Sequence, residues 1–451
     1  MYYPRVNPNI ILSEQSAIAI DIISGKHISL PKGAFPILKL TDGKTDIDTI
    51  IRELSCSYNI EAKEIYNFYY NLKELGFIFL ETRPNVTLQC EDKFPIRIAS
   101  IELTEKCNLK CRYCYGAFSP TKAASLSLEE AENLFDALQK RHVRIIELTG
   151  GEPTVNPYFN EILRSACERF MTVTVMTNAS AIPSTSYEIF KTYKDKIGFS
   201  ISIDGFSESS NAFQRGVRNT FSKTLYNIIK IKKEIDPKFF RVVYMLTNEN
   251  EKEADAFFDY MLDNNVLDIM VSIPENIEKG RTYKLSDGCT MSDRCSAIRM
   301  ELDKRVLQIG EKYMGRVRTV SDRLGQSGMK LANVIPSCGA GWTMLSFQSN
   351  GDVMPCNMIE SKWKLGNFRE DPNLNFLSLK NPLYSLFANI NLSAENDNRK
   401  ECENCFYNKF CGKCITRILI ANKDRIQKNE EICPVLKRTG ILSCNVSLIE
   451  K

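Results

Sequence analysis

Histidine is scarce: His27 and His142 are the two in a chain of 451 residues. That scarcity removes most of the case for Cys-His zinc sites and for imidazole acid–base catalysis, and moves it towards thiolate-ligated iron. No run approaches the ~18 consecutive apolar residues that a membrane-spanning helix needs. The opening Met-Tyr-Tyr-Pro-Arg lacks the basic region, apolar run and small-residue cleavage site of a signal peptide. A cytosolic chain with no membrane partner is therefore expected. Charge of one sign is also missing, since 59 Lys+Arg against 55 Asp+Glu leave +4. So small an excess offers no footprint for nucleic acid. Low-complexity tracts and fixed-period repeats are absent as well.

Cysteine, by contrast, is abundant, with 16 residues. In a reducing compartment closely spaced thiols argue for metal or redox chemistry rather than disulfides. The length calls for two to four domains of roughly 100 to 200 residues. Residues 1–85 read as a small α+β unit. Asn9–Asp21 alternates apolar and polar residues, Gly25 turns the chain, and Lys26–Leu30 forms a second strand. Helices follow over Lys32–Thr41, Asp46–Ser57 and Ala62–Leu75, and a last strand over Phe77–Leu80. A strand pair, three helices and a final strand suggest a winged helix. Residues 82–94 look like a linker.

Residues 95–275 alternate apolar β-rich runs with amphipathic helical runs, the pattern of a parallel sheet wrapped by helices. Strands are expected at Arg97–Leu103, Arg144–Leu148, Thr172–Met176, Ile197–Ile203, Arg241–Leu246 and Asp268–Ser272. Six units predict a partial (β/α)6 TIM-like barrel with function gathered at the C-terminal strand ends. Residues 276–335 read as a connector, helical over Asp293–Gly310, and residues 336–451 as a cysteine-rich domain.

The first barrel strand runs into Cys107-x3-Cys111-x2-Cys114. Three thiolates on a four-iron cluster leave one iron free for a ligand that is not protein, which suits chemistry rather than electron carriage alone. A zinc knuckle is the competing reading, but structural zinc wants four closed ligands and no fourth Cys or His lies nearby. Further candidates follow successive strands: Gly150-Gly151-Glu152-Pro153, then Thr177-Asn178, then Ser202 and Asp204-Gly205, with Arg215 before Gly216. Each alone is an ordinary turn signal. A barrel would bring them all to one mouth.

These motifs resemble the radical S-adenosylmethionine superfamily, whose signature C-x3-C-x2-C carries an aromatic residue before the third cysteine, as Tyr113 stands here. The resemblance implies that Cys107, Cys111 and Cys114 hold a 4Fe-4S cluster. It implies that Gly150, Gly151, Glu152 and Pro153 bind the methionine amino group of S-adenosylmethionine, with Tyr113 and Asn178 nearby. Ser202 and Asp204 would approach its carboxylate and ribose, and Arg215 its carboxylate. One electron from an external reductant of flavodoxin or ferredoxin type would cleave the cofactor, and a 5'-deoxyadenosyl radical would abstract hydrogen from substrate.

The C-terminal cysteines, Cys338, Cys356, Cys402-x2-Cys405-x5-Cys411-x2-Cys414 and Cys433, resemble the SPASM extension of peptide-modifying radical enzymes. The resemblance implies two auxiliary 4Fe-4S clusters, one on Cys402, Cys405, Cys411 and Cys433 and the other on Cys338, Cys356 and Cys414, so three clusters in all. Seven thiols are one short of two closed sets. Either a substrate cysteine thiolate, a soft ligand, completes the second, or Cys289, Cys295 or Cys444 closes it.

Residues 1–85 are similar to the peptide-recognition domain of ribosomal-peptide maturases, in which a leader peptide adds a strand beside the third helix. DNA is the other possible partner of a winged helix, but Glu61, Glu64 and Glu74 oppose Lys63 and Lys73 and leave no basic face. The stripe Ile65, Phe68, Tyr69 and Leu72 reads as core. The whole resembles the maturases that join cysteine sulfur to carbon in a precursor peptide with a leader. Other readings are a carbon–carbon crosslinker, an epimerase, a formylglycine maker, or a non-catalytic iron–sulfur winged-helix regulator.

Overall fold

The computed structural model describes residues 2–7, 10–13, 18–21, 27–31, 33–58, 60–82, 84, 96–274, 280–284, 297–314, 316–319, 339–378, 381, 383–384, 386–387, 414, 416 and 419. The chain divides into two compact units, one formed by the described residues up to 97 and the other by those from 98 onward.

In the first unit, strands β1 (Tyr3–Val6), β2 (Ile10–Ser13), β3 (Ile18–Asp21) and β4 (His27–Ser29) precede helices α1 (Ala34–Lys39), α2 (Ile47–Tyr58) and α3 (Ala62–Glu74) and strand β5 (Ile78–Glu81). β2, β3 and β4 form an antiparallel sheet, and β1 pairs antiparallel with β5. The alternating run expected as one strand is thus a hairpin, and β1 was not expected at all. Residues 14–17 contain no Gly or Pro, the residues that ordinarily announce a reversal. The helices pack because their apolar residues recur at helical spacing. Ile50 and Leu54 of α2 meet Ile65, Tyr69 and Leu72 of α3 in one core, with Phe68 packed on its flank. The buried Tyr69 hydroxyl finds Thr41 Oγ1 at 3.0 Å, so the ring enters the core without an orphaned polar atom.

The second unit is built on parallel β/α repeats. Its elements are β6 (Ile98–Glu102), α4 (Leu128–Lys140), β7 (Ile145–Thr149), α5 (Phe159–Arg169), β8 (Thr172–Thr177), α6 (Ser186–Thr192), β9 (Ile197–Ile203), α7 (Glu208–Arg215), α8 (Phe221–Glu234), β10 (Phe239–Met245), α9 (Ala254–Asp263) and β11 (Asp268–Ser272). After these come α10 (Ala297–Tyr313), β12 (Val317–Thr319), β13 (Met344–Phe347), β14 (Asp352–Met354) and β15 (Gly366–Asn367). Among the described residues one sheet runs β12-β11-β10-β9-β8-β7-β6-β13-β14-β15. Every pair from β12 to β13 is parallel, and β14 and β15 pair antiparallel beyond it.

All six expected barrel strands form. Two additions correct the expected layout. The stretch read as a connector holds the expected helix as α10 and supplies a strand that was not expected, β12, which extends one edge. The cysteine-rich region supplies β13, which pairs in parallel with β6 on the other. Both added strands are short, four residues or fewer, too brief to show a period in the sequence.

β9, inside the sheet, is buried on both faces and reads as an apolar run, whereas its neighbours β8 and β10 alternate buried with half-buried residues. β9 reads Ile-Gly-Phe-Ser-Ile-Ser-Ile, and only Ser202 in it is half-exposed. Phe199 packs edge-on to Phe190 of α6, ring centroids 4.8 Å apart. Helix starts are specified locally: Ser127 and Glu130 form a reciprocal capping box on α4, and Ser207 caps α7, which ends on left-handed Gly216. Replacing Phe199 by Ala leaves a cavity between the sheet and α6. It should cost about 3–5 kcal/mol in a denaturant titration followed by circular dichroism; a loss below about 1 kcal/mol would show that the site collapses around the gap.

Candidate active site

The loop after β6 carries the three thiols and is held at the C-terminal edge of the sheet by its neighbours' strand ends. Cys107, Leu109 and Phe118 are buried together, with Cys111, Cys114, Tyr115 and Val217 packed against them. After β7, Gly151 N donates to Thr104 O at 2.8 Å and Glu152 N to Lys106 O at 2.9 Å. In the last turn of α7, Arg215 O accepts from Lys110 N and Gln214 O from Arg112 N, each at 2.9 Å. After β11, Arg281 N donates to Cys114 O at 2.9 Å.

These approaches leave no space for side chains. A Cβ on Gly151 would lie 2.3 Å from Lys106 O, one on Gly216 2.5 Å from Lys110 O, and one on Gly150 2.4 Å from Thr104 O. Gly150 also holds φ 137°, a backbone conformation open to glycine alone. The paired glycines are thus required by the loop that lies on them.

Side chains complete the frame. The buried Glu152 carboxylate accepts from Thr154 Oγ1 at 2.7 Å, Thr177 Oγ1 at 2.6 Å and Asn178 N at 2.7 Å, tying the end of β7 to that of β8. Burial pushes its pKa up against these bonds. Asn178 Nδ2 reaches Asn108 Oδ1 at 2.9 Å, and Asn108 Nδ2 reaches Ser180 Oγ at 2.9 Å, so Asn108 stitches the cysteine loop to β8. Asp204, 1 % exposed at the end of β9, pairs with Arg215 Nε at 2.5 Å, accepts from the Tyr113 hydroxyl, and accepts from Met245 N at 3.2 Å. Against the desolvation that burial imposes, Asp204 holds the Arg215 guanidinium charged. Arg215 Nη1 also points at Cys111 Sγ, 3.8 Å away.

Thus Cys107, Cys111, Cys114, Tyr113, Gly150, Gly151, Glu152, Pro153, Asn178, Asp204 and Arg215 belong to one connected strand-end site, with Ser202 half-buried on β9 two residues before Asp204. Sequence reasoning missed Asn108, Ser180, Gly280 and Arg281. Asn108 had a signal: Cys107-Asn108-Leu109 recurs as Cys356-Asn357-Met358. In both turns the amide two residues on donates to the cysteine sulfur, Leu109 N to Cys107 and Met358 N to Cys356, each at 3.4 Å. Cys356 and Cys414 are half-buried. Cys338, Cys402, Cys405, Cys411, Cys433, Cys289, Cys295 and Cys444 lie outside the described residues.

Among the described residues no three His, Cys, Asp or Glu side chains converge closely enough to hold a single ion. Three thiols on one loop suit an iron–sulfur group with one open iron better than structural zinc, which wants four closed ligands. Burial raises the Cys107 thiol to about 12 and the Cys111 thiol to about 11. A bound cationic group is what makes such thiols thiolates.

Residues 101–261 match the family model of the radical SAM superfamily, and residues 338–406 that of an iron–sulfur cluster-binding domain named SPASM. This chain is a radical S-adenosylmethionine enzyme with a C-terminal SPASM domain. The radical SAM enzyme is 25% identical over 415 residues to the antilisterial bacteriocin subtilosin biosynthesis protein AlbA of Bacillus subtilis, which covers 90% of this chain and 88% of AlbA. Its fold is similar to that of Streptococcus suis SuiB bound to S-adenosylmethionine, with TM-score 0.57, 17% identity, and coverage of 96% of this chain and 100% of SuiB. SuiB bound to the precursor peptide SuiA gives TM-score 0.58 at 17% identity, over 97% of this chain and 100% of that one. No helix among the described residues is long and apolar enough to cross a membrane.

Gly151→Ala should displace the cysteine loop and lower the iron retained on Cys107, Cys111 and Cys114 after anaerobic reconstitution, read by iron analysis. Asn108→Ala, which removes two side-chain bonds, should cost about 1–3 kcal/mol of stability. Unchanged iron in Gly151→Ala would mean that the loop accommodates a methyl group.

Proposed function

We propose that this radical SAM enzyme is a peptide maturase that installs intramolecular thioether crosslinks, from cysteine sulfur to carbon, in a ribosomally made precursor peptide. The observation that carries the proposal is the second sulfur turn, Cys356-Asn357-Met358. It repeats the geometry of Cys107-Asn108-Leu109 and directly follows β14, in the same sheet as β6. The similarity to AlbA along most of both chains supports it.

On this reading Cys107, Cys111 and Cys114 hold one 4Fe-4S cluster. Cys402, Cys405, Cys411 and Cys433 hold the second, and Cys338, Cys356 and Cys414 the third. Gly150–Pro153, Tyr113, Asn178, Ser202, Asp204 and Arg215 line the place for S-adenosylmethionine. Bound there, the reduced cluster and S-adenosylmethionine supply hydrogen-atom abstraction, chemistry that belongs to the cofactors. The chain's residues orient and exclude water. The buried Arg215 offers positive charge beside Cys111, and Glu152 keeps the β7 and β8 ends fixed relative to the loop. Residues 1–85 are read as a winged-helix unit that takes the leader peptide, and a flavodoxin or ferredoxin type protein as the electron donor. Each bridge replaces a C–H and an S–H bond by C–S, so two hydrogens leave the peptide: one atom would go to the 5'-deoxyadenosyl group, and the thiol proton would go to solvent with its electron to an auxiliary cluster.

The test is incubation of reduced, reconstituted enzyme with S-adenosylmethionine and a cysteine-containing peptide encoded beside its gene. Expected are 5'-deoxyadenosine, a peptide lighter by two hydrogens per bridge, and one thiol per bridge closed to alkylation. A lighter peptide with every thiol still open would favour a carbon–carbon link instead. Replacing Cys107, Cys111 and Cys114 by Ala should abolish cofactor cleavage, and Cys338→Ala should spare cleavage without peptide but stop crosslinking. Cleavage that survives loss of the trio would contradict the reading.

A further inference from the structure

The segment after β11 has no assigned role in the site, yet it touches the cysteine loop more than once. Arg281 N donates to Cys114 O at 2.9 Å. Its guanidinium spans the loop, Nη1 to Cys111 O at 2.6 Å and Nη2 to Phe118 O at 2.6 Å, with Ala117 O at 3.4 Å. The residue before it is Gly280, at φ 98°, where a Cβ would lie 2.2 Å from Tyr115 O and 2.5 Å from Cys114 O. Only glycine lets the segment come this close.

Arg281 adds to the partners that Cys111 O and Cys114 O already have in the loop's own turns, and it ties Phe118 O to them. The loop makes two successive turns, Cys114 N to Cys111 O and Ala117 N to Cys114 O. A guanidinium presents its N–H groups in a planar fork and cannot lose its charge, so it can hold carbonyls at both ends of such a loop at once. A lysine ammonium is a point charge, with a geometry that favours one of them. A half-buried cation bonded to neutral carbonyls also gains charge-assisted strength.

We propose that Arg281, seated by Gly280, is a positioning residue that fixes the cysteine loop in its iron-holding shape. It pins the backbone of Cys111, Cys114 and Phe118 so that the three thiols keep their spacing. The proposal rests on the reading that Cys107, Cys111 and Cys114 hold a cluster. It makes the chain beyond the sixth barrel strand belong to the cofactor site rather than to a connector.

The test is release of iron to a chelator from the anaerobically reconstituted full-length enzyme, followed by absorbance. A variant with Cys107, Cys111 and Cys114 replaced by Ala defines the iron held elsewhere. In Arg281→Ala the trio's iron should leave at least about tenfold faster, the effect expected when a charge-assisted bond is lost. Release of the remaining iron should keep the parent's rate. Arg281→Lys should fall between the two. Release from Arg281→Ala at the parent's rate would overturn the proposal, and so would equal acceleration of both iron pools, which marks a general loss of structure. If Arg281→Ala does not fold, as judged by circular dichroism, Arg281→Lys decides: faster release of the trio's iron supports the proposal and an unchanged rate overturns it. If the trio-to-Ala variant retains as much iron as the parent, the cluster reading itself fails.

Discussion

Backbone lies on backbone at the cysteine loop, and the rest of the site follows from that. Residues 104–118 are gripped by the chain after β7, at the end of α7 and after β11, through main-chain hydrogen bonds of 2.8–2.9 Å. At Gly151, Gly216 and Gly280 the separation is too small for any Cβ. Three thiols alone would be a flexible donor set. Pressed against three separate segments, they become one whose spacing is inherited from the sheet. The sheet in turn is held by strands such as β9, buried on both faces, so the loop's geometry is referred back to the stiffest region of the molecule.

Charge is arranged on the same frame. Asp204 and Arg215 are both almost fully buried and paired, and Asp204 has the Tyr113 hydroxyl and Met245 N as further donors. These donors satisfy the carboxylate of the buried pair, while Arg215 Nη2 is buried without a hydrogen-bond partner among the described residues. Removing either partner would leave an uncompensated charge beside Cys111. Glu152 is satisfied likewise at the end of β7, its carboxylate accepting from Thr154, Thr177 and Asn178. Burial also reaches the cysteine-rich region. Burial pushes the Tyr115 hydroxyl up, and Glu102, Cys114 and Cys356 add to it, so a thiol from each cysteine region lies near this half-buried residue. Glu102 of β6 accepts from Ser349 Oγ at 2.6 Å, which fixes the turn between β13 and β14 to the first barrel strand.

The features of this design that were legible from the residues are those with a local signature. Six barrel strands read as β-rich runs, continuously apolar where both faces are covered, as in β9, and alternating in β8 and β10. Cys107, Cys111 and Cys114 read as ligands because of spacing. What stayed hidden depends on partners remote in the chain. β12 and β13 are short and exist because β11 and β6 offer open edges. The β2–β3 reversal lacks turn residues. Arg281 stands in a stretch with no periodicity, and its role comes from carbonyls some 163 to 170 positions earlier. Gly150 and Gly151 were expected to serve the cofactor; the structure gives them a more immediate physical requirement, the cysteine loop lying on them.

The central claim is that the protein's backbone, rather than iron, shapes the loop. Hydrogen exchange on the iron-free protein, kept reduced and anaerobic, tests it most directly. The amides of Lys110, Arg112, Gly151, Glu152 and Arg281 should be protected to nearly the degree of the amides in β7 and β8. Exchange at unfolded-chain rates until iron is added would contradict the account, and would make the cluster the organiser of its own site.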